Sequence, residues 1–142
     1  MTVMSLQYQN HLGGIQPTQL EGFFVNWPDP PSAATLRRIL ENSYAYVLAV
    51  APGGQVVGFV NAISDGVLSA YIPLLEVRPE WQSQGIGSAL VQHLLAGLSG
   101  LYMIDTSCDD DLVAFYQRFG MSRGNALFLR NYAAQSGRCE TI

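Results

Sequence analysis

The sequence predicts a single α/β domain, built as one mixed, mostly antiparallel sheet with helices on both faces. Three observations carry that expectation. The first half holds two β-rich runs, Tyr46–Val50 and Val56–Ile63, joined by the hairpin signal Pro52-Gly53-Gly54. The second half changes period, with Leu90, Val91, Leu94, Leu95 and Leu98 on one helical stripe of Ile86–Leu98. Finally, 142 residues, 49% hydrophobic and 13% charged, suit one globular domain with a real core.

Taken in order, Ser5–Gln9 alternates weakly and reads as a first strand. Gln16–Val25 and Ser32–Glu41 read as helices, with Ser32 as the N-cap of the second. Between them Pro28-Asp29-Pro30-Pro31 cannot continue a helix, because proline removes donors and restricts its predecessor. The hairpin follows, then a turn at Asp65-Gly66 and a strand over Ser69–Val77. After the Ile86–Leu98 helix come a short strand at Leu101–Ile104 and a helix capped by Asp109 or Asp110 that runs to Phe119 and stops at Gly120. Ala126–Arg130 reads as the final strand. Residues 1–132 then form the domain, and Ala133–Ile142 a flexible C-terminal tail.

Composition narrows the function. All seven basic residues are arginine, the net charge is −4 and no basic stripe exists, which argues against nucleic-acid binding. No apolar run approaches the length of a membrane span, and the first residues lack the basic start and apolar stretch of a secretory signal. Cys108 and Cys139 have neither a disulfide-framework nor a metal-ligand spacing. The expectation is a cytoplasmic protein with no metal, no membrane partner and no nucleic-acid partner, acting as a monomer or homodimer.

The chemistry concentrates in Leu74–Leu90. An apolar strand, a turn at Pro79 and a loop of small residues lead into the helix. A loop of this kind offers free N–H groups and the positive end of a helix dipole, an anion site suited to phosphate. A dinucleotide fingerprint fits worse, since there the glycines follow the strand at once. Gln82-x-x-Gly85-x-Gly87 after Leu-x-Val-x-Pro resembles the acetyl-CoA pyrophosphate loop of the GCN5-related N-acetyltransferases. Phe115-Tyr116-Gln117-Arg118-Phe119-Gly120-Met121 is similar to that family's Phe-Tyr-x-x-x-Gly-Phe signature, with Met121 in place of the aromatic. The order of elements matches as well, so the resemblance implies the acyl-CoA N-acyltransferase fold and acetyl-CoA as cosubstrate.

By that resemblance, main-chain groups of Leu75 and Val77 should pair with the pantetheine arm. The N–H groups of Gln82, Ser83, Gln84, Gly85, Ile86, Gly87 and Ser88 should hold the pyrophosphate. The family commonly has a basic residue in this loop. Here Gln82 and Gln84 are neutral, with Arg78 and Arg123 as substitutes. Tyr116 is the expected general acid, returning a proton to the departing thiolate. For the base, Asp109 and Glu76 lead, ahead of Asp65 and Asp105. Asp109 is slightly favoured because it begins the helix that carries Tyr116, and the resemblance also places it at the cofactor. Phe24, Trp27 and Tyr71 should line the acceptor mouth, where rings can stack on an apolar amine or hold a cation.

Three readings follow. The first is direct transfer of acetyl from acetyl-CoA to a small-molecule amine. The second is protein acetylation at a lysine or N-terminal amine, and the third a non-catalytic CoA-binding sensor or interaction module. An acetyl-Cys108 intermediate is disfavoured, because neither His11 nor His93 is near it in sequence.

Overall fold

The computed structural model of the chain describes residues 5–137. Among these residues six strands form one sheet: β1 (Gln7–Gln9), β2 (Ala45–Val50), β3 (Val56–Ser64), β4 (Ser69–Ile72), β5 (Leu75–Val77) and β6 (Met103–Thr106). Their spatial order is β1-β2-β3-β4-β6, with β5 also paired to β3. Only β4 and β6 run parallel; the other pairs are antiparallel. The mixed, mostly antiparallel sheet expected from sequence is the one found.

Helices α1 (Ala33–Glu41) and α2 (Ile86–Gly97) cover opposite faces. Ser32 caps α1 by accepting the Thr35 N–H at 3.1 Å. The α2 stripe sets Ile86, Leu90, Leu94 and Leu98 against Val60, Ala62, Ala70 and Ile72. On the other face Leu36 and Leu40 of α1 meet Leu48, Val56 and Phe59, together with Ile15, Leu20, Phe23 and Phe24. Gly58 allows the close approach of α2: a Cβ there would lie 3.0 Å from the Glu76 carbonyl oxygen and 3.1 Å from Leu90 Cδ1.

Several local expectations are corrected. In place of a helix over Gln16–Val25 there is one 3-10 turn, Pro17–Leu20. Gly22, Phe24 and Asn26 then take φ of 86°, 64° and 70°, which no helix tolerates. This course sends Phe23 and Phe24 into the core beside Phe59. The Ser69–Val77 strand breaks at Pro73-Leu74, where proline has no N–H for the ladder. The strand expected at Leu101–Ile104 begins later, because the N–H of Leu101 bonds the Leu98 carbonyl and ends the helix turn. The helix before Gly120 is a 3-10 turn, Asp110–Leu112, followed by α3 (Val113–Gln117), and neither Asp109 nor Leu112 caps with its side chain. Ala126–Arg130 pairs with no strand among the described residues.

Part of the expected tail is ordered against the body. Tyr132–Ala134 forms a 3-10 turn, Gln135 accepts the Asp29 N–H at 2.9 Å, and Ser136 is buried. The rest of it, including Cys139, lies outside the described residues.

Candidate active site

The site begins where two strands part. Ile72 of β4 pairs with Thr106 of β6, and the Thr106 hydroxyl donates to the Ile72 carbonyl at 2.8 Å. Beyond Pro73 the chain follows β3 as β5, while the chain after Thr106 leaves the sheet. A wedge opens between them.

The β5 side of this wedge offers bare main chain. Asn61 N–H donates to the Leu74 carbonyl and Arg78 N–H to the Val57 carbonyl. In an antiparallel ladder, residues 74, 76 and 78 therefore turn their main-chain groups toward β3, and Leu75 and Val77 turn theirs outward. These are the two residues expected to pair with an extended ligand. The Val77 carbonyl already accepts the Gln82 side-chain amide at 3.0 Å.

From β5 the row continues into the loop. Ser83 and Gly85 take φ of 63° and 82°, and Gly85 stands at the N-cap of α2. Alternating left-handed positions turn successive N–H groups toward one concave surface. The Ala89 N–H is the first to bond back, to Gly85, so those of Ser83, Gln84, Gly85, Ile86, Gly87 and Ser88 have no partner among the described residues. A Cβ on Gly85 would meet nothing within 4 Å, so the space in front of it is open. Gln82 departs from expectation: its own N–H is committed to the Pro79 carbonyl at 3.3 Å.

The basic group at this loop comes from elsewhere than expected. Arg78 turns away, donating Nε to the Val56 carbonyl at 2.6 Å, Nη2 to the Gln19 carbonyl at 3.2 Å and covering the Phe23 ring. Arg123 pairs with Asp110 on the surface. Arg118 of the segment after α3 instead donates to Ser88 Oγ at 3.2 Å, with its guanidinium 5.0 Å from the Phe115 ring centre. Only its place in the Phe-Tyr-x-x-x-Gly string hinted at it, since α3 and α2 are brought together by folding.

Tyr116 sits at the other wall of the wedge and is 7% exposed. Burial pushes its hydroxyl up from the ordinary tyrosine range, Cys108 and Tyr71 add to the rise, and Thr106 opposes it through a side-chain hydrogen bond. Cys108 is a free, exposed thiol. Tyr71 binds Ser107 through its hydroxyl, which ties β4 to the chain leaving β6.

The carboxylates separate. Glu76 faces the α1 side of the sheet, half-buried, and Oε1 accepts the Phe24 N–H at 2.8 Å. Burial raises its pKa and the Phe24 bond partly offsets that. Asp109 is exposed, and no side-chain cap links it to the following turn. Asp65 accepts the N–H groups of Val67, Leu68 and Ser69, which lower its pKa and occupy it as a turn former. Asp105 is exposed on β6, on the face shared with Tyr71. At the expected acceptor mouth, the Phe24 ring is buried between Trp27 (4.8 Å between ring centres) and Phe59, whereas Trp27 and Tyr71 are each 38% exposed. Phe24 thus reaches the site by its N–H rather than its ring. His93 stacks on Tyr8 and is structural.

No group of three or more His, Cys, Asp or Glu stands together as a metal site among the described residues, and none of their helices is long and apolar enough to cross a membrane. The family described as "Acetyltransferase (GNAT) family" matches residues 14–121. A crystal structure of a candidate acetyltransferase from Deinococcus radiodurans R1 is 53% identical, superposes with a TM-score of 0.93, and covers 99% of this chain and 100% of that one. Serotonin N-acetyltransferase 2, chloroplastic, of Oryza sativa is 34% identical over 92 residues, 61% of this chain and 46% of that protein. The chain thus spans about half the length of the curated relatives it matches, or less. At 17% identity and a TM-score of 0.64, an aminoglycoside N-acetyltransferase solved in complex with CoA, covering 92% of this chain and 97% of that one, shares the fold. With its strand–loop–helix row, its wedge and the family match along three quarters of its length, this chain belongs to the acetyltransferase (GNAT) family.

Proposed function

We propose that the chain transfers an acetyl group from acetyl-CoA to a primary amine on a small molecule, by direct attack. One observation carries the reading. Outward main-chain groups at Leu75 and Val77 run into the open N–H groups of Ser83–Ser88, a continuous binding row for an arm that ends in phosphates. Tyr116 stands where β4 and β6 part, so a thioester at the head of such an arm would have a phenol beside it.

Acetyl-CoA supplies the activated acetyl group. The amine must arrive unprotonated, attack the carbonyl carbon, form the amide bond and break the carbon–sulfur bond. The thiolate then needs a proton. Tyr116, protonated at neutral pH as any phenol is and more so for its burial, is the donor. Glu76 is the base that takes the proton of the ammonium, directly or through a water. Its raised pKa makes it a better proton acceptor than an exposed carboxylate, and the Phe24 N–H fixes its orientation. Asp109, exposed and uncommitted, is the weaker candidate.

The acceptor is an amine that carries an apolar or aromatic group. Trp27 and Tyr71 present part-exposed rings at the mouth, and the rice relative is named for serotonin. The test is a panel of arylalkylamines, aminoglycosides and lysine peptides, scored by CoA release. Arylalkylamines should turn over fastest. Preference for peptides would identify a protein acetyltransferase, and tight acetyl-CoA binding without any turnover would identify a sensor.

A further inference from the structure

Among the described residues, Asn61 alone buries a side-chain polar atom that has no hydrogen-bond partner, its Oδ1. The residue stands on β3 and is 1% exposed. Its neighbour fixes which way the amide is turned. The Ser43 hydroxyl donates its one hydrogen to the Ile39 carbonyl at 2.7 Å, so toward Asn61 it accepts, and the atom 3.0 Å from it is Nδ2. Nitrogen and oxygen occupy opposite edges of a planar amide. With Nδ2 held by Ser43 on the β2 side, Oδ1 is turned to the β5 side. A buried amide oxygen without a donor bears its full desolvation cost, so the position calls for a donor that arrives later.

Glu76 lies on that side. Side chains alternate along β3, so Asn61 shares the α1 face with Phe59, while Val60 and Ala62 take the other. Phe59 pairs with Glu76, and the Asn61 N–H binds the Leu74 carbonyl, which sets Asn61 diagonal to Glu76 across the β3–β5 ladder. Diagonal neighbours are roughly 7 Å apart at Cβ, a gap that a glutamate side chain spans. Glu76 uses Oε1 to accept the Phe24 N–H. While ionised, its carboxylate and the Asn61 oxygen are both acceptors and form no bond. Once protonated, Glu76 is a donor, and the two groups match.

We propose that Asn61 is a positioning residue for the acetyl transfer, its Oδ1 accepting the O–H that Glu76 gains from the incoming ammonium. The proton leaves the ammonium nitrogen, whose lone pair becomes the nucleophile. The new O–H bond forms on Glu76, and the positive and negative charges cancel. Asn61 holds the neutral acid while the amine attacks, and water takes the proton as products leave. This rests on the reading of Glu76 as the base. The charged groups around Glu76 are engaged elsewhere. Arg78 of the same strand run binds the Val56 and Gln19 carbonyls, and Arg37 and Glu41 of α1 pair with each other beside Tyr46. Glu21 and Asp29 of the covering segment, and Tyr71 and Asp105 on β4 and β6, do not enter its titration, which burial and the Phe24 bond set.

Two substitutions separate this role from support of the fold, because they should move Glu76 in opposite directions. The readings are carbon NMR titration of the Glu76 carboxyl in the free protein, assigned by its loss in Glu76→Gln, and the pH–rate profile. Asn61→Ala removes the acceptor, so the titration and the rate step should both move down by about half to one pH unit. Asn61→Asp sets a second carboxyl beside Glu76. The pair then shares a proton, and its upper step should move up. Folded variants that leave the titration in place, or move it the same way, overturn the proposal. So does a wild-type Glu76 that titrates in the ordinary carboxylate range, about 4.3. A titration that shifts as expected beside an unmoved rate step upholds the Asn61–Glu76 bond and overturns Glu76 as the base. Should Asn61→Asp not fold, Asn61→Ala and the wild-type titration decide alone.

Discussion

The pKa values of Tyr116 and Glu76 are both raised by the same force, burial, yet with opposite consequences for the roles proposed for them. A raised phenol stays protonated and can donate, whereas a raised carboxyl accepts a proton more readily once ionised. Tyr116→Phe should lower turnover about 10²–10⁴-fold, with acetyl-CoA affinity little changed. Calorimetry and saturating-substrate rates check this; an unaltered rate with chemistry limiting would assign the proton to another group. Glu76 makes a paired prediction in rate and stability. The rate should rise with pH as its carboxyl ionises, and Glu76→Gln should remove that step, leaving only the amine's own titration. Since its folded pKa lies above the unfolded value, the protonated form favours folding, and that contribution is lost as pH rises through the raised value. Glu76→Gln should therefore melt higher than wild type at pH 7. The gap should close as pH falls to the ordinary carboxylate range, about 4.3. Equal melting profiles at all pH values would show that burial does not act on this group. Asp109→Asn should leave both rate and pH profile near wild type.

Two elements frame the proposed anion site, the loop that opens α2 and the segment that follows α3. Gly87→Glu tests the loop. A Cβ there would lie 3.8 Å from Phe115 and 3.9 Å from Val77, ordinary contact, so the fold should survive. A carboxylate beside the Ser83–Ser88 N–H groups would repel phosphate and compete for the donors, and affinity for acetyl-CoA should fall at least about thirtyfold. Unchanged affinity with an unchanged melting temperature would remove the loop from the site. Arg118→Gln tests the other element. The side chain is exposed, so its charge is partly screened, and its loss should weaken acetyl-CoA binding only about 3–10-fold at low salt. The difference should shrink as salt rises, with turnover at saturation unchanged; an equal loss at all salt concentrations would mean that Arg118 acts by packing on Phe115.

At the scale of the whole molecule, the core on the α1 face also supports the proposed site. Phe59 is fully buried and packs edge-on to Phe23, with ring centres 5.1 Å apart, and against Phe24 at 6.1 Å. Phe24 in turn keeps φ at 64° and gives its N–H to Glu76. A non-glycine residue stays in that region only where its surroundings over-determine it. Phe59→Ala should destabilise the fold by about 3–5 kcal/mol, as large-to-small changes in a core do. It should also lower turnover under conditions where the variant remains folded, because the Phe24–Glu76 bond loses its support. Denaturant melts and rates on the folded fraction measure the two effects, and full activity in a destabilised variant would separate core from site.

The sequence by itself determined the sheet class, α1 with its Ser32 cap, the β2–β3 hairpin, the α2 stripe, the loop and the residues of the family signature. These depend on short-range patterns: period, turn chemistry and glycine at positions of positive φ or close approach. What it did not determine are features made by contacts between distant segments. Phe23 and Phe24 left a helical pattern because Phe59 offered them burial, and α1's face closed over them. Arg118 reached Ser88 across thirty residues, while Arg78 was drawn to carbonyls on the opposite face. Glu76 became distinct from Asp109 only through burial, which no spacing encodes. Ala126–Arg130 has the composition of a strand, but a strand exists only where an edge accepts its hydrogen bonds, and composition does not supply one.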